Sequence, residues 1–353
     1  MNISSELLLS EAGLANPESH WLIIGGEAEL VQAVADRAQP MHLVWIPYDA
    51  IELASLGDDE RVQIHELPID APGPPNSFDL VLIPGVPDRD LNRRSLAIAK
   101  ECVRSIGWVM IAGANNEGVR SFLSDAQEMF SDPFSSDYRS KHRYATFEGI
   151  ELTERPPSWS TVVGIQPGTW VDTGVILAGQ KVMHATTSGI FSAGGIDEGT
   201  RMLLEHFRVE PGQRVLDVGA GSGIIGAYAA AMHGQVTMTD SNLIAVAAAM
   251  RTMRLNEFQG FDVVAGNTYD PVGDALFDLI VSNPPFHRGR HVDHSMTDRL
   301  MAEAPRHLEQ GGQLLVVANA FLNYGKQMKR VFRDVETIVS NRQYHVLRAS
   351  NPI

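Results

Sequence analysis

Residues 215–223 read Val215-Leu216-Asp217-Val218-Gly219-Ala220-Gly221-Ser222-Gly223, an apolar strand running into three alternate glycines. An alanine-rich helical stretch, residues 224–232, follows directly. Alternate glycines let the backbone turn sharply and come close to a ligand at the carboxyl end of the strand. The spacing is G-x-G-x-G and not the dinucleotide fingerprint G-x-G-x-x-G, so it predicts a nucleoside ligand with no pyrophosphate to cradle. Strand, glycine loop and helix in this order open a doubly wound α/β sheet.

Working outward, the next apolar run, residues 236–239, ends in Asp240, 23 residues after Asp217. A carboxylate there can accept hydrogen bonds from both hydroxyls of a ribose. Asn267 follows the run Val263-Val264-Ala265-Gly266 and places an amide where a third strand ends, in reach of an adenine edge. Gly219, Gly221, Gly223, Asp240 and Asn267 are therefore candidate cofactor residues. Asp217 is read either as part of that site or as a buried structural carboxylate beside it.

A fourth apolar run closes on Ser282-Asn283-Pro284-Pro285-Phe286-His287. Two consecutive prolines donate no backbone hydrogen bonds and hold the chain extended. The Asn283 side-chain oxygen and the Pro284 carbonyl can then serve as two acceptors for one NH2 group, leaving its lone pair aimed at an electrophile. Phe286 offers a flat face for a base. Asn283, Pro284 and Phe286 are the candidate catalytic residues, and Asn283 also faces the cofactor. Phe286, His287, Arg288 and Arg290 are candidate substrate contacts.

Short Val/Ile/Leu runs recur along the chain at residues 21–24, 43–46, 80–83, 108–112, 215–218, 236–239, 279–282 and 314–318. Continuous apolar strands between helical patterns predict parallel sheets covered on both faces. The halves also resemble each other. Phe78-Asp79-Leu80-Val81-Leu82 matches Phe277-Asp278-Leu279-Ile280-Val281, and Gly107 and Gly312 each open a later apolar strand. The fold class expected is α/β: two tandem Rossmann-like domains, one over 1–155 and one over 196–353. A β-rich connector over 156–195 joins them. The N-terminal copy has Gly25-Gly26-Glu27 in place of the glycine loop and Pro84-Gly85-Val86-Pro87 in place of Asn-Pro-Pro-Phe. It is expected to bind no cofactor.

The chain has 353 residues, 28 Lys+Arg against 43 Asp+Glu, and a formal charge of −15. That balance excludes coating nucleic acid by bulk charge. The excess is uneven: residues 1–195 carry a net −13 and residues 196–353 a net −2. This step fits two units with different jobs, or an acidic solvated domain joined to an ordinary one. One cysteine, Cys102, can form neither an internal disulfide nor a thiolate metal cluster, and its helical surroundings over 97–106 place it in the core. The absence of a signal-like start and of a long uncharged apolar run leads to the expectation of a cytoplasmic protein with no membrane partner. A monomer is expected.

The glycine loop, Asp240, Asn267 and Asn-Pro-Pro-Phe together resemble the class I S-adenosylmethionine-dependent amino methyltransferases. More narrowly, Asn-Pro-Pro-Phe-His, Val317-Ala318-Asn319-Ala320-Phe321-Leu322, Gly189-Ile190-Phe191-Ser192 and Asp197-Glu198-Gly199 resemble the ribosomal small subunit methyltransferase C-like family. The N-terminal stretch Gly113-Ala114-Asn115-Asn116-Glu117-Gly118-Val119-Arg120-Ser121 is similar to a segment of the same family. The resemblance is dense from about Gly189 onward and thin before Phe78. It implies S-adenosyl-L-methionine as cofactor, rRNA of the small subunit as partner, guanine N2 as acceptor, and two tandem Rossmann-like methyltransferase-type domains, the N-terminal copy degenerate and the C-terminal copy catalytic. It implies direct in-line transfer to an amine presented by Asn283 and Pro284, on a base that is unpaired or flipped out.

Three alternatives stay open on the residues: adenine N6, a protein glutamine amide, or a catalytically silent RNA-binding assembly factor. His287, His291, His294 and Asp293 invite a metal reading, but Gly289 and flanking arginines break the helical spacing it needs, so no metal is expected. Arg139-Ser140-Lys141-His142-Arg143 reads as a solvated turn or an RNA contact.

Overall fold

The computed structural model describes residues 1–13, 18–149, 156–177, 179–191, 195–284 and 295–353. The chain divides into two compact units, Met1–Val171 with Thr187–Gly189, and Asp172–Thr186 with Ile190–Ile353.

The first unit contains strands β1 (His20–Ile24), β2 (His42–Ile46), β3 (Val62–Ile64), β4 (Phe78–Pro84), β5 (Val103–Ala114), β6 (Ser135–Arg139) and β7 (His142–Glu148). Its helices are α1 (Ile3–Ala12), α2 (Ala28–Arg37), α3 (Ala50–Leu56), α4 (Arg89–Cys102) and α5 (Val119–Phe130). A hairpin of β8 (Val171–Leu177) and β9 (Gln180–Thr186) follows. The second unit continues with β10 (Arg214–Val218), β11 (Gln235–Asp240), β12 (Asp262–Ala265), β13 (Phe277–Ser282), β14 (Leu308–Asn319), β15 (Phe332–Ser340) and β16 (Tyr344–Pro352). Its helices are α6 (Glu198–His206), α7 (Ile224–Ala231), α8 (Leu243–Leu255), α9 (Ser295–Glu303) and α10 (Tyr324–Met328).

Each unit holds one seven-stranded sheet, ordered β3-β2-β1-β4-β5-β7-β6 and β12-β11-β10-β13-β14-β16-β15. The two orders are the same topology, strand for strand. The runs read from sequence all lie in these strands, but the sheets are not wholly parallel. The last two strands of each are antiparallel, because they form a hairpin folded back onto the edge of a five-stranded parallel sheet. Apolar clusters cover both faces of each sheet.

The paired Phe-Asp motifs do the same work in both units. Asp79 Oδ2 accepts the His20 N–H at 2.8 Å and Asp278 Oδ2 accepts the Arg214 N–H at 2.8 Å, each starting the neighbouring strand. Both sheets shift register just after the phenylalanine, between Phe78 and Leu80 and between Phe277 and Leu279. Gly107 and Gly312 do not open their strands; they lie inside β5 and β14, opposite that shift. A Cβ at Gly107 would stand 2.9 Å from the Asp79 carbonyl, and one at Gly312 3.0 Å from the Phe277 carbonyl, so only glycine fits.

Two further expectations shift. The helical pattern over 97–106 breaks at Cys102, and residues 103–106 begin β5. Here pairing with β4 overrides local periodicity. Within 156–195, the β8–β9 hairpin packs on α7 and α8, while 187–189 belong to the first unit. The backbone of β9 is paired by helix side chains: Met183 N–H donates to Asn256 Oδ1 and Ala185 N–H to Thr252 Oγ1, both at 2.8 Å. This covers the edge of a strand that would otherwise expose its donors.

Candidate active site

Strand register brings the sequence signals to one edge of the second sheet. Val218 lies beside Thr239, and Asp217 lies between Met238 and Val281. The carboxyl ends of β10, β11 and β13 are therefore level, where α/β sheets bind ligands. Past Val218 the chain turns through Gly219, Gly221 and Gly223, with φ of 73°, 56° and 75°, a region that favours glycine. The Gly219 and Ala220 N–H groups both donate to the Thr239 carbonyl, at 2.8 and 3.1 Å. The glycines differ in purpose. A Cβ at Gly223 would lie 2.7 Å from Ala249 Cα, so this residue lets α7 pack on α8; a Cβ at Gly221 would meet nothing within 4 Å. Gly221 thus borders open space that a ligand can enter.

Asp240 ends β11 and ties the loop to it. Its Oδ2 accepts the Gly221 N–H and its Oδ1 accepts the Asn242 N–H, both at 2.9 Å. Asn267 follows Gly266, whose N–H donates to the Asp240 carbonyl at 2.9 Å, so this half-buried amide stands just beyond the end of β12. Its Oδ1 accepts the Thr268 hydroxyl at 2.7 Å.

Asp217 is fully buried. One carboxylate oxygen accepts the Gly226 N–H at 3.0 Å, and the other has no partner among the described residues. Burial pushes its carboxyl up to about 7; the Gly226 N–H opposes this and the nearby Asp240 charge adds to it. One oxygen thus holds the first turn of α7, and the other has no partner among the described residues.

Asn283 is half-buried just past β13, and its amide is oriented by α6. Its Nδ2 donates to Thr200 Oγ1 at 2.7 Å and lies 3.2 Å from Asp197 Oδ2. Asp197 caps α6, accepting the Thr200 N–H at 3.1 Å and the Thr200 hydroxyl at 2.5 Å. The Asn283 Oδ1 is buried with no partner among the described residues. Next to it, Ser282 Oγ donates to the Val218 carbonyl at 2.7 Å, joining the ends of β13 and β10, and Pro284 is buried. The substrate candidates Phe286, His287, Arg288 and Arg290 lie outside the described residues, as do His291, Asp293 and His294. Among the described residues no group of three or more His, Cys, Asp or Glu could hold a metal ion.

Sequence reading missed Asp197 and Thr200 as site residues, although Asp197 three positions before Thr200 signals a helix cap. Nothing in the sequence spacing indicates that this cap meets an amide 83 residues beyond Thr200. Gly226 was missed too: a Cβ there would lie 2.4 Å from Met238 Sδ, so it sets how closely α7 approaches β11. Met296 in α9 is a fourth, its Cε lying 3.1 Å from where a Gly219 Cβ would stand.

The corresponding place in the first unit is built differently. The Tyr48 ring would lie 3.0 Å from a Cβ at Gly25, and the Pro84 ring 2.9 Å from one at Gly26. The Tyr48 hydroxyl pairs with Ser95 Oγ at 2.9 Å. In sheet register, Ile23 replaces Asp217, and Pro84 replaces Asn283. Cys102 is buried in α4, and burial pushes its thiol up to about 12, leaving it no thiolate chemistry near neutral pH. Arg139 and Arg143 flank the β6–β7 turn, where Arg143 stacks 5.2 Å over the Tyr138 ring.

Sheet order, glycine loop and oriented asparagine define a methyltransferase fold, and residues 181–348 match the methyltransferase small domain family. A Chromohalobacter salexigens protein, "Ribosomal RNA small subunit methyltransferase C", is 42% identical over 169 residues, covering 46% of this chain and 49% of that one. The Photorhabdus laumondii protein of the same name is 32% identical over 246 residues, covering 69% and 68%. The chain belongs to the ribosomal RNA small subunit methyltransferase C family. At the higher identities it spans about half the length of the curated relatives it matches. A solved T. thermophilus 16S rRNA N2 methyltransferase in complex with AdoMet and guanosine shares the fold, with a TM-score of 0.80 at 22% identity over 99% of this chain and 92% of that one.

Proposed function

We propose that this chain transfers a methyl group from S-adenosyl-L-methionine to the exocyclic N2 amine of a guanosine in small-subunit (16S) rRNA. The observation that carries the reading is the Asn283 amide, held through its NH2 by an acceptor network while its buried oxygen has no partner among the described residues. A buried unpartnered acceptor is costly unless a donor arrives to fill it. An exocyclic amine is such a donor, and the names of the relatives supply the substrate class.

The cofactor residues fit a nucleoside with a cationic tail. Gly219, Gly221 and Gly223 bring backbone close, Gly221 borders open space, and the Asp240 carboxylate, which accepts the Gly221 N–H, is assigned to the ribose hydroxyls. Asn267 is assigned to the base edge, and Asp217, one oxygen of which has no partner among the described residues, to the rear of the site. The bound cofactor supplies an electrophilic methyl on a sulfonium. The chain's own part is to orient the amine: Asn283 Oδ1 and the Pro284 carbonyl accept its two hydrogens, directing the lone pair along the line of transfer. Phe286 stacks on the base, and His287, Arg288 and Arg290 contact the RNA. The first unit serves as a non-catalytic partner domain, and the protein acts as a cytoplasmic monomer.

The test is mass spectrometry of rRNA nucleosides from cells with and without the gene, paired with transfer assays on Asn283→Ala. N2-methylguanosine should vanish from small-subunit rRNA without the gene. The variant should keep cofactor affinity while kcat falls by at least about a hundredfold, the scale of one preorganised polar contact. An unchanged nucleoside profile refutes the reading.

A further inference from the structure

We propose that Asp197 and Thr200, at the N-terminus of α6, are positioning residues that lock the Asn283 amide in the one rotation that exposes its oxygen to the substrate. The inference rests on the amine-transfer reading of the same site. An asparagine side chain presents an oxygen on one side and an NH2 on the other, and a flip of the terminal torsion exchanges them. Flipped, Asn283 would offer donors to an amine that is itself a donor, and the orienting contact would become a repulsive one. Something must therefore fix the amide.

The hydrogen-bond chemistry of α6 leaves a single solution. Ionised Asp197 is acceptor-only. The Thr200 hydroxyl has one hydrogen, and it is committed to Asp197 Oδ2 at 2.5 Å. Toward Asn283, Thr200 Oγ1 can then only accept, and it does so from Nδ2 at 2.7 Å; Asp197 Oδ2 stands behind it at 3.2 Å. Both neighbours on that side are acceptors, so the NH2 must face them and Oδ1 must face the other way. Asp197 is itself held, because its Oδ1 accepts the Thr200 N–H at 3.1 Å as the cap of α6. Gly199 sits in the same turn, where a Cβ would lie 3.0 Å from Asp197 Oδ1 and 3.1 Å from the Tyr344 ring, so a larger residue would disturb the cap. The chain of constraint runs from the helix terminus through a carboxylate and a hydroxyl to the amide. Neither α6 residue is required to touch the substrate.

Thr200→Val tests the lock, since it keeps the side-chain shape and leaves the Asp197 cap on the Thr200 backbone N–H in place. In the full chain, methyl transfer from labelled S-adenosylmethionine to small ribosomal subunits from cells lacking the gene is measured beside cofactor affinity and Tm. We expect kcat to fall about tenfold to a hundredfold, the scale of a misplaced reacting group. KM, cofactor Kd and Tm should stay close to wild type, and Thr200→Ser, which restores the hydroxyl, should recover most of the rate. A second readout is independent of turnover: the Asn283 side-chain NH2 in protein labelled with 15N-asparagine, identified by its loss in Asn283→Asp. It should be protected from solvent exchange in wild type and Thr200→Ser and markedly less protected in Thr200→Val, which keeps only the longer Asp197 contact. Wild-type kcat in Thr200→Val, failure of Thr200→Ser to rescue, or equal protection in all three proteins overturns the lock. If wild type transfers no methyl group, the proposed activity fails, while the exchange measurement still decides the lock.

Discussion

Replacing Asp217 by asparagine should change the pH dependence of stability in a way that few single substitutions can. The carboxyl is fully buried, and burial raises it from the usual 3.8 to about 7. The folded protein therefore holds a proton that the unfolded chain has released, and stability falls as pH rises from about 4 to about 7, then levels off. Three units at about 1.36 kcal/mol each give roughly 4 kcal/mol over the whole window, of which about 2 kcal/mol falls between about pH 5.5 and 8.5. Asp217→Asn keeps an oxygen for the Gly226 N–H and places an NH2 where the unpartnered oxygen lies. That NH2 costs about 1–3 kcal/mol at every pH. The stability difference, variant minus wild type, should thus rise by about 2 kcal/mol from pH 5.5 to 8.5, other titrating groups cancelling. Urea unfolding followed by far-UV circular dichroism is the assay. All five tryptophans lie at or before Trp170, so their fluorescence reports the first unit and not the one that holds Asp217. A difference that stays constant with pH within about 0.5 kcal/mol refutes a buried, proton-holding Asp217.

Asp240→Ala should weaken S-adenosylmethionine binding by roughly 2–5 kcal/mol in isothermal titration, through loss of ribose hydrogen bonds to a charged acceptor together with the Gly221 tether; undiminished affinity removes Asp240 from the site. Reversing Arg288 and Arg290 together to glutamate should weaken binding of small-subunit rRNA and make the slope of log K against log salt shallower by about 1–2, with cofactor affinity unchanged. RNA affinity equal to wild type in filter binding would move the RNA surface elsewhere.

The two units show what duplication with divergence leaves behind. The strand-starting aspartates, the register shifts and the glycines opposite them are kept in both copies, because each answers a backbone constraint of the same sheet. At the carboxyl edge the two copies differ. There the second unit has open space before Gly221, while Tyr48 and Pro84 crowd Gly25 and Gly26 in the first. Keeping the frame while altering one edge is how a fold separates stability from function.

The fold was legible in the sequence because its determinants are local. Apolar runs of four or five residues, glycines at alternate positions and prolines after a strand constrain the backbone wherever they occur, and two repeats of one pattern announced two sheets. Asp240, Asn267 and Asn283 were legible for the same reason, each being the polar residue at the end of an apolar run. Local pattern misled where pairing partners are distant: residues 103–106 look helical but begin β5, with Val103 paired to Phe78 of β4, and the terminal hairpins reverse direction at the sheet edge. Tertiary structure alone decided the rest. It brought Asp197 and Thr200, more than 80 residues before Asn283, to that amide. It buried Asp217, and it set α7 on β11 through Gly226. A hydrogen bond between side chains depends on where two elements pack, and a carboxyl's proton affinity on what surrounds it; neither is a property of any short stretch of chain.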